Sequence, residues 1–156
     1  MKKNTVLEKS WLIRAIQEAD AKELFDLLDT LDMKTKSFFH PHPFDFTTVN
    51  NICKTKQDHY FVMVLDDKII GYSFLRLFGY KVPSFGIVIK QGYTGKGYGA
   101  ILTQWTVDKA RAFGYKKVIL KTYKENLRAQ KLYETIGFQT VGVTEDNKQY
   151  LMELKL

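Results

Sequence analysis

The apolar residues of this chain fall into helical and alternating patterns that predict the order of its elements. Leucines at positions 24, 27, 28 and 31 recur at helical spacing and predict an amphipathic helix after Asp20. Asp20 and Glu23 have the spacing of a capping box, which would open this helix. Stretches rich in β-branched and aromatic residues predict strands at 11–16, 60–65, 69–77, 82–89, 117–122, 138–143 and 149–156.

Two further helices are predicted in the second half of the chain. One spans 97–113 after a glycine-containing turn, and its flanking strands complete a βαβ unit. The other begins at Asn126, a residue that can cap a helix N-terminus, and ends at Gly137. Asp66-Asp67-Lys68 separates two strands and predicts a hairpin. These elements predict one α/β domain over residues 1–156, with a mixed sheet of six or seven strands flanked by helices.

The most specific local motif is the glycine run Gly95-Lys96-Gly97-Tyr98-Gly99-Ala100, which lies between a predicted strand and a predicted helix. Glycines let successive backbone N–H groups converge on an anion, and the positive end of the helix dipole adds to the attraction. A phosphate-binding turn is therefore predicted here. Gly95-x-Gly97-x-x-Ala100 also satisfies the dinucleotide fingerprint, but too few residues follow it for a doubly wound sheet. A P-loop is excluded because Gly97, and not Ser or Thr, follows Lys96.

Charge and cysteine content narrow the range of partners. The chain carries 24 Lys and Arg against 17 Asp and Glu, a formal charge of +7, which suits a small polyanionic ligand. No basic block is long enough for a nucleic-acid-binding tail. Cys53 is the only cysteine, which excludes an internal disulfide and a four-cysteine zinc site. No apolar run approaches the roughly 20 residues that span a bilayer, so we expect a cytoplasmic protein without a nucleic-acid or membrane partner.

Four segments, in this order, make the chain resemble the GNAT superfamily of acyl-CoA-dependent N-acyltransferases. They are Ile13-Arg14-Ala15-Ile16, the hairpin Asp66-Asp67-Lys68-Ile69-Ile70-Gly71, the glycine run, and the block from Asn126 to Phe138. The last two are the more specific, and the resemblance covers nearly the whole chain. It implies a splayed sheet with acetyl-CoA in the cleft, and direct transfer of the acetyl group to an amine without a metal.

The resemblance also implies roles for individual residues. The pyrophosphate of acetyl-CoA would lie against the loop from Gly95 through Ala100, which includes Lys96, Gly97, Tyr98 and Gly99. The pantetheine arm would pair with the backbone of Ile87, Val88 and Ile89, and Asn126 matches a residue that usually contacts the CoA arm. Tyr133 matches a tyrosine that often protonates the leaving thiolate, for which a phenol is a reasonable donor. Without the resemblance, its place on the apolar face of a predicted helix favours a simple core residue.

Two departures from the family pattern leave parts of the site open. Thr94 stands where the family usually has Gln or Arg before the glycine run, although Lys96 could compensate. The strand at 82–89 contains no acid where many members carry a glutamate, so the general base is unassigned. His40 and His42, with Phe44, are candidates for acceptor binding because histidine titrates near neutral pH and the phenylalanines could wall a pocket.

The alternative for this aromatic loop is that it packs as a lid or dimer contact. An exposed aromatic patch over 38–46 would make a homodimer plausible. His40-x-His42 is a weak metal motif, since spacing places no further ligand.

These observations predict an acetyl-CoA-dependent N-acetyltransferase that acts on a small primary amine. An amino sugar, a polyamine, an amino acid and an aminoglycoside all remain open as acceptors. One alternative is a non-catalytic acyl-CoA-binding or regulatory module, which the missing strand acid and Thr94 would favour. Another is a transferase that acetylates protein N-termini or lysines, for which an open acceptor groove would be expected.

Overall fold

The computed structural model describes residues 10–156 and consists of one sheet flanked by helices. The first part of the chain contains strand β1 Trp11–Ala15, a short 3-10 helix Glu18–Asp20, and three α-helices, α1 Ala21–Asp29, α2 Met33–Phe38 and α3 Phe46–Lys54. The remaining elements are β2 His59–Leu65, β3 Lys68–Arg76, β4 Ser84–Ile89, α4 Tyr98–Ala112, β5 Lys117–Tyr123, α5 Leu127–Ile136, β6 Gln139–Val143 and β7 Gln149–Lys155. No helix in the described part of the chain is long and apolar enough to cross a membrane.

The seven strands form a single mixed sheet in the order β1-β2-β3-β4-β5-β7-β6. All neighbours are antiparallel except β4 and β5, which are parallel and joined by the crossover helix α4. This confirms the predicted mixed sheet of six or seven strands flanked by helices. We call β1 to β4 the first wall and β5, β7 and β6 the second wall.

Helices cover both faces of the first wall. On one face, Val62 and Tyr72 pack against α1 and α3 in a core that includes Leu24 and Val49. On the other face, Met63 and Ile70 pack against Leu102 of α4. Helix α5 lies on the same side of the sheet as α4 and covers that face of the second wall, where it shares a core with β4, β5 and β7. On the opposite face of the second wall, a described helix reaches only the end of β5, where Phe38 of α2 lies against Tyr123.

The hairpin between β2 and β3 is tighter than predicted. Asp66 and Asp67 both have positive φ values, 48° and 65°, which is the pattern of a two-residue type I′ turn. Lys68 therefore begins strand β3 and is not part of the turn. The helix predicted after Asp20 is also present.

The predicted capping box at Asp20 and Glu23 is wrong. Asp20 makes no side-chain cap to α1, because its carboxylate accepts two hydrogen bonds from Arg14, at 2.7 and 2.9 Å. Glu23 instead accepts from the Ile69 N–H at 2.6 Å. Both acids therefore join the helix to the sheet.

Helices α2 and α3 were not predicted from the pattern of apolar residues. Each is short, with six and nine residues, and each begins with an aspartate that caps its first turn. Asp32 accepts from the Thr35 N–H and Asp45 from the Thr48 N–H, both at 2.8 Å. The Asp-x-x-Thr spacing was the available signal for both helices.

Candidate active site

The two walls separate immediately after they meet. Within the described residues, Ser84↔Ile119 is the one register pair between β4 and β5. The Ile119 N–H donates to the Pro83 carbonyl at 3.0 Å at the same place. Beyond this pair the strands diverge, so the rest of β4 faces a gap in the sheet.

Strand geometry determines which backbone groups of β4 face the gap. Successive residues of a strand direct their N–H and C=O groups to opposite sides. The Lys90 N–H donates to the Ile70 carbonyl at 2.8 Å, so Lys90 and Val88 point toward β3. Ile87 and Ile89 therefore point their N–H and C=O groups into the gap. Val88 instead contributes a buried side chain on the face of α1 and α3.

The glycine run forms a turn that leads from the gap into helix α4. Gly95 and Gly97 have φ values of 75° and 90°, a region that glycine occupies without strain. Gly97 precedes the first residue of the helix, Tyr98. Lys96 lies between Gly95 and Gly97, and its side chain is exposed. This turn presents the free N–H groups of the helix start next to the open edge of β4, an arrangement suited to an anion.

Helix α5 brings one charged side chain, Arg128, to this turn, and Asn126 lies at the start of the same helix. Asn126 caps the helix, with Oδ1 accepting from the Ala129 N–H at 3.4 Å. A Cβ atom at Gly95 would lie 3.2 Å from Arg128 Nη2, so the guanidinium lies directly over the loop. Arg128 was not among the predicted site residues, although its position within the Asn126 block was a signal for it.

Tyr133 lies on the inner face of α5, against the end of β4 where the two walls meet. Its ring is 8% exposed and packs edge-on against Phe85, with the ring centroids 6.0 Å apart. Burial raises the pKa of the Tyr133 hydroxyl well above that of a free phenol. The side chain therefore keeps its proton at neutral pH and lies close to the gap.

The two predicted histidines have different surroundings, although one residue separates them. His42 Nδ1 lies 2.8 Å from the Pro43 carbonyl, and Nε2 lies 3.0 Å from the hydroxyl of the fully buried Tyr72. Burial lowers the pKa of His42. His40 is exposed, and its Nε2 lies 2.9 Å from the Tyr123 hydroxyl at the end of β5. The loop thus contacts both sides of the gap.

The phenylalanines of this loop do not form one exposed patch. Phe39 and Phe44 stack on each other and pack against the core of α1 and α3. Phe38 lies against Tyr123, with centroids 6.0 Å apart. Only Phe46 is exposed, at 46%, and it packs edge-on against Phe25. The exposed part of the aromatic patch predicted over 38–46 is therefore Phe46.

The structure explains why β4 carries no acid at its centre. A Cβ atom at Gly86 would lie 2.1 Å from the ring of Phe74, which covers the strand on this face. Phe74 is itself held by Tyr60 and Tyr72. Any larger side chain at position 86 would have to displace this aromatic cluster. Among residues 10–156, no three histidine, cysteine or acidic side chains are grouped as metal ligands.

Together these features define a class of protein: a mixed sheet with an open strand edge in its cleft and, next to that edge, a glycine turn suited to an anion. The family model for the GNAT acetyltransferase family matches residues 25–138. The chain therefore belongs to this family of acetyltransferases.

Known proteins share parts of the sequence and the whole of the fold. N-acetylaspartate synthetase from Danio rerio is 39% identical over 54 residues, or 35% of this chain and 19% of that protein. The synthetase from Xenopus tropicalis is 31% identical over 90 residues, or 55% of this chain and 32% of that protein. The chain thus spans a third or less of these relatives. The GNAT domain of S. lividans PAT superposes with a TM-score of 0.83 at 14% identity, over 99% of this chain and 100% of that domain.

Proposed function

We propose that this chain is a single-domain N-acetyltransferase that uses acetyl-CoA to acetylate a primary amine of a small molecule. The observation that carries the proposal is the unpaired edge of β4, which runs directly into the glycine turn and the start of α4. Acetyl-CoA supplies the acetyl group as a thioester that an amine can attack directly. The edge and the turn fit its two parts, since one offers backbone partners and the other an anion site.

The residues proposed to bind acetyl-CoA lie at three places: the edge of β4, the glycine turn, and the cationic side chains beside that turn. Ile87 and Ile89 offer backbone groups to the amide-containing pantetheine arm, while Val88 supports them from the core. The turn from Gly95 to Ala100 holds the pyrophosphate. Arg128 lies over this turn and supplies the side-chain contact that Thr94 cannot, with Lys96 as a second cation.

Tyr133 is the proposed acid. It is buried beside the closed end of the gap, where it is protonated at neutral pH. The same burial makes Tyr133 a weaker acid than a free phenol, so the proposal depends on its position: a phenol beside the leaving sulfur can donate its proton to the thiolate. Asn126 has its carbonyl oxygen engaged in the helix cap, so its N–H₂ group is the part that would contact the CoA arm.

Among the four acceptor types, we favour an amino acid. A polyamine or aminoglycoside needs several carboxylates to bind its cationic groups, but β4 and β5 contain none. On the open face of β5, Lys117 pairs with Glu153 at 3.4 Å and Lys121 is exposed. The exposed ammonium group of Lys121 suits an acceptor with a carboxylate. This agrees with the names of the two relatives, which are N-acetylaspartate synthetases.

The test combines CoA binding with turnover. Calorimetry measures the affinity of wild type and Tyr133→Phe for CoA, and thiol release measures turnover on L-aspartate, other amino acids, glucosamine, spermidine and kanamycin. We expect turnover on amino acids, and a loss of about 100-fold in kcat for Tyr133→Phe with unchanged CoA affinity. Tyr115→Phe is the matched control, because Tyr115 precedes the opposite end of β5.

Each other outcome contradicts a different part of the proposal. If CoA does not bind, the cleft assignment fails. If CoA binds and none of these amines is acetylated, the non-catalytic acyl-CoA-binding alternative is favoured. Preferential turnover of spermidine or kanamycin would overturn the choice of acceptor alone.

A further inference from the structure

The contact between His40 and Tyr123 joins the two walls across the gap. His40 belongs to the loop between α2 and α3, which packs on the first wall through Phe39 and Phe44. Tyr123 is the last residue of β5, in the second wall. Their side chains meet at 2.9 Å between Nε2 and Oη, although 83 residues separate them in the chain. The hydrogen bond therefore spans the opening where the strands have diverged.

The register places Tyr123 beside the reacting part of the cleft. Ser84 and Ile119 are paired, so four residues further along each strand Tyr123 is level with Val88. This is about 13 Å from the point where the walls meet, at 3.3 Å per residue. Ile87 and Ile89, whose backbone groups face the gap, lie on either side of that level.

Tyr123 and Tyr133 lie on opposite faces of the sheet. Val118 and Leu120 point into the core shared with Tyr133. Since side chains alternate along a strand, Tyr123 points to the other face, where it meets His40. Tyr133 lies toward the closed end of the gap and Tyr123 about 13 Å from that end, so a thioester held along Ile87 and Ile89 would lie between the two phenols. In this arrangement Tyr133 can donate a proton to the thiolate from one face of the sheet, while a separate group on the other face accepts a proton from the amine.

His42 does not fit the second role. The Pro43 carbonyl can only accept, so His42 Nδ1 carries the proton of that hydrogen bond. Its basic nitrogen, Nε2, is then occupied by the hydroxyl of the fully buried Tyr72. His40 differs because its ring is exposed and can exchange protons with water.

Building on the proposed function, we propose that Tyr123 and His40 form the proton relay that deprotonates the acceptor amine. An N–H bond of the acceptor ammonium breaks and its proton passes to Tyr123 Oη. The hydroxyl passes its own proton to His40 Nε2, and the imidazolium that forms releases one proton to water. The neutral amine is then free to attack the thioester, and no other reactant is needed.

The activity test compares two acceptors that differ in their need for a base. At neutral pH the amine of L-aspartate is almost entirely protonated, whereas hydroxylamine is largely neutral. We expect Tyr123→Phe and His40→Gln each to lower kcat/KM for L-aspartate by about 100-fold. Hydroxylamine turnover, corrected for its uncatalysed reaction, should change little. The double variant should lose no more than the worse single variant, because the two groups act as a unit.

A second readout does not depend on turnover. The chain has three histidines, so their ring nitrogen signals can be assigned by NMR. Tyr123→Phe should shift the signals of His40 and leave those of His42 and His59 in place. The matched control is Tyr115→Phe, since His59 Nε2 lies 2.7 Å from the Tyr115 hydroxyl in a similar pair away from the gap. That variant should shift His59 and keep full activity.

The outcomes separate this proposal from the function on which it rests. If wild type acetylates L-aspartate but the variants lose equal activity with both acceptors, the residues position the acceptor and the relay is wrong. If the variants match Tyr115→Phe, the pair has no role in turnover. Failure of the wild type to acetylate these probes or any amine of the panel would overturn the proposed function and the relay together, whereas turnover confined to another amine of the panel would overturn the relay on L-aspartate alone.

Discussion

The two walls of the cleft are built on different principles. The first wall is covered on both faces, and many of its side chains are fully buried, such as Val62, Tyr72 and Leu75. The second wall is covered on one face by α5, and its edge strand β6 is largely exposed, with Val141 57% exposed. One parallel pair joins them.

This difference matches the two tasks of the site. A binding edge for a cofactor must hold its backbone groups in fixed positions, and close packing on both faces provides that rigidity. A wall with an open face can present a different set of side chains to the acceptor without disturbing a core. Under the proposed function, the first wall supplies the backbone edge for the cofactor, and the open face of the second wall presents side chains to the acceptor.

The largest expected effect is the loss of core packing in the first wall. Leu102 is fully buried between α4 and β3. Leu102→Ala should lower the free energy of unfolding by about 3 kcal/mol because it leaves a cavity. Val141→Ala in the second wall should change it by less than about 0.5 kcal/mol. Urea denaturation of both variants measures the contrast, and equal losses would contradict the comparison of the walls.

A smaller loss is expected from overpacking. Gly86→Ala places a methyl group 2.1 Å from the original position of the Phe74 ring, inside an aromatic cluster with little freedom to move. We expect a loss of about 2 kcal/mol in the free energy of unfolding. Gly142→Ala in β6 is the control, since its methyl group would lie 3.5 Å from Leu151, an ordinary contact. Thermal denaturation that finds Gly86→Ala as stable as this control would show that the cluster is plastic.

The smallest effect concerns an ion pair in each wall. Burial raises the pKa of Asp20, but hydrogen bonds from Arg14 and the Gln17 N–H outweigh it and hold the pKa below its ordinary value. The unfolded chain therefore takes up a proton first on acidification, so the stabilisation is present above about pH 4 and declines as the pH falls further.

Asp20→Asn should accordingly cost about 1 kcal/mol at neutral pH and flatten the loss of stability in acid. The ion pair between Lys117 and Glu153 is more exposed than the other pair. The exposed fractions of the Lys117 and Glu153 side chains are 37% and 23%, whereas those of Arg14 and Asp20 are 30% and 8%. Glu153→Gln should cost less than about 0.5 kcal/mol. Denaturation curves from neutral to acid pH test both, and a steeper acid dependence for Asp20→Asn would reverse the sign of the argument.

Most of the fold could be predicted from the sequence because its signals are local. The hairpin at Asp66-Asp67, the cap at Asn126 and the stop at Gly137 each depend on residues close in the chain, and all are present. The capping box at Asp20 failed because Arg14, from another element, bound the carboxylate. Helix α2 was missed because its six residues are too few to show an apolar period, whereas α3 was missed although Val49, Ile52 and Cys53 have helical spacing.

For the candidate site, the sequence by itself determined the glycine turn and the Asn126 block, because these follow from residue types at short spacings, and it indicated the type of chemistry through the family resemblance that these motifs carry. Tertiary structure alone decided that the backbone of Ile87 and Ile89 faces the gap, since this depends on register with β3 and on where β5 diverges. It also decided which histidine reaches the cleft. His40 and Tyr123 meet across 83 residues, and such a contact exists only once the whole chain has folded.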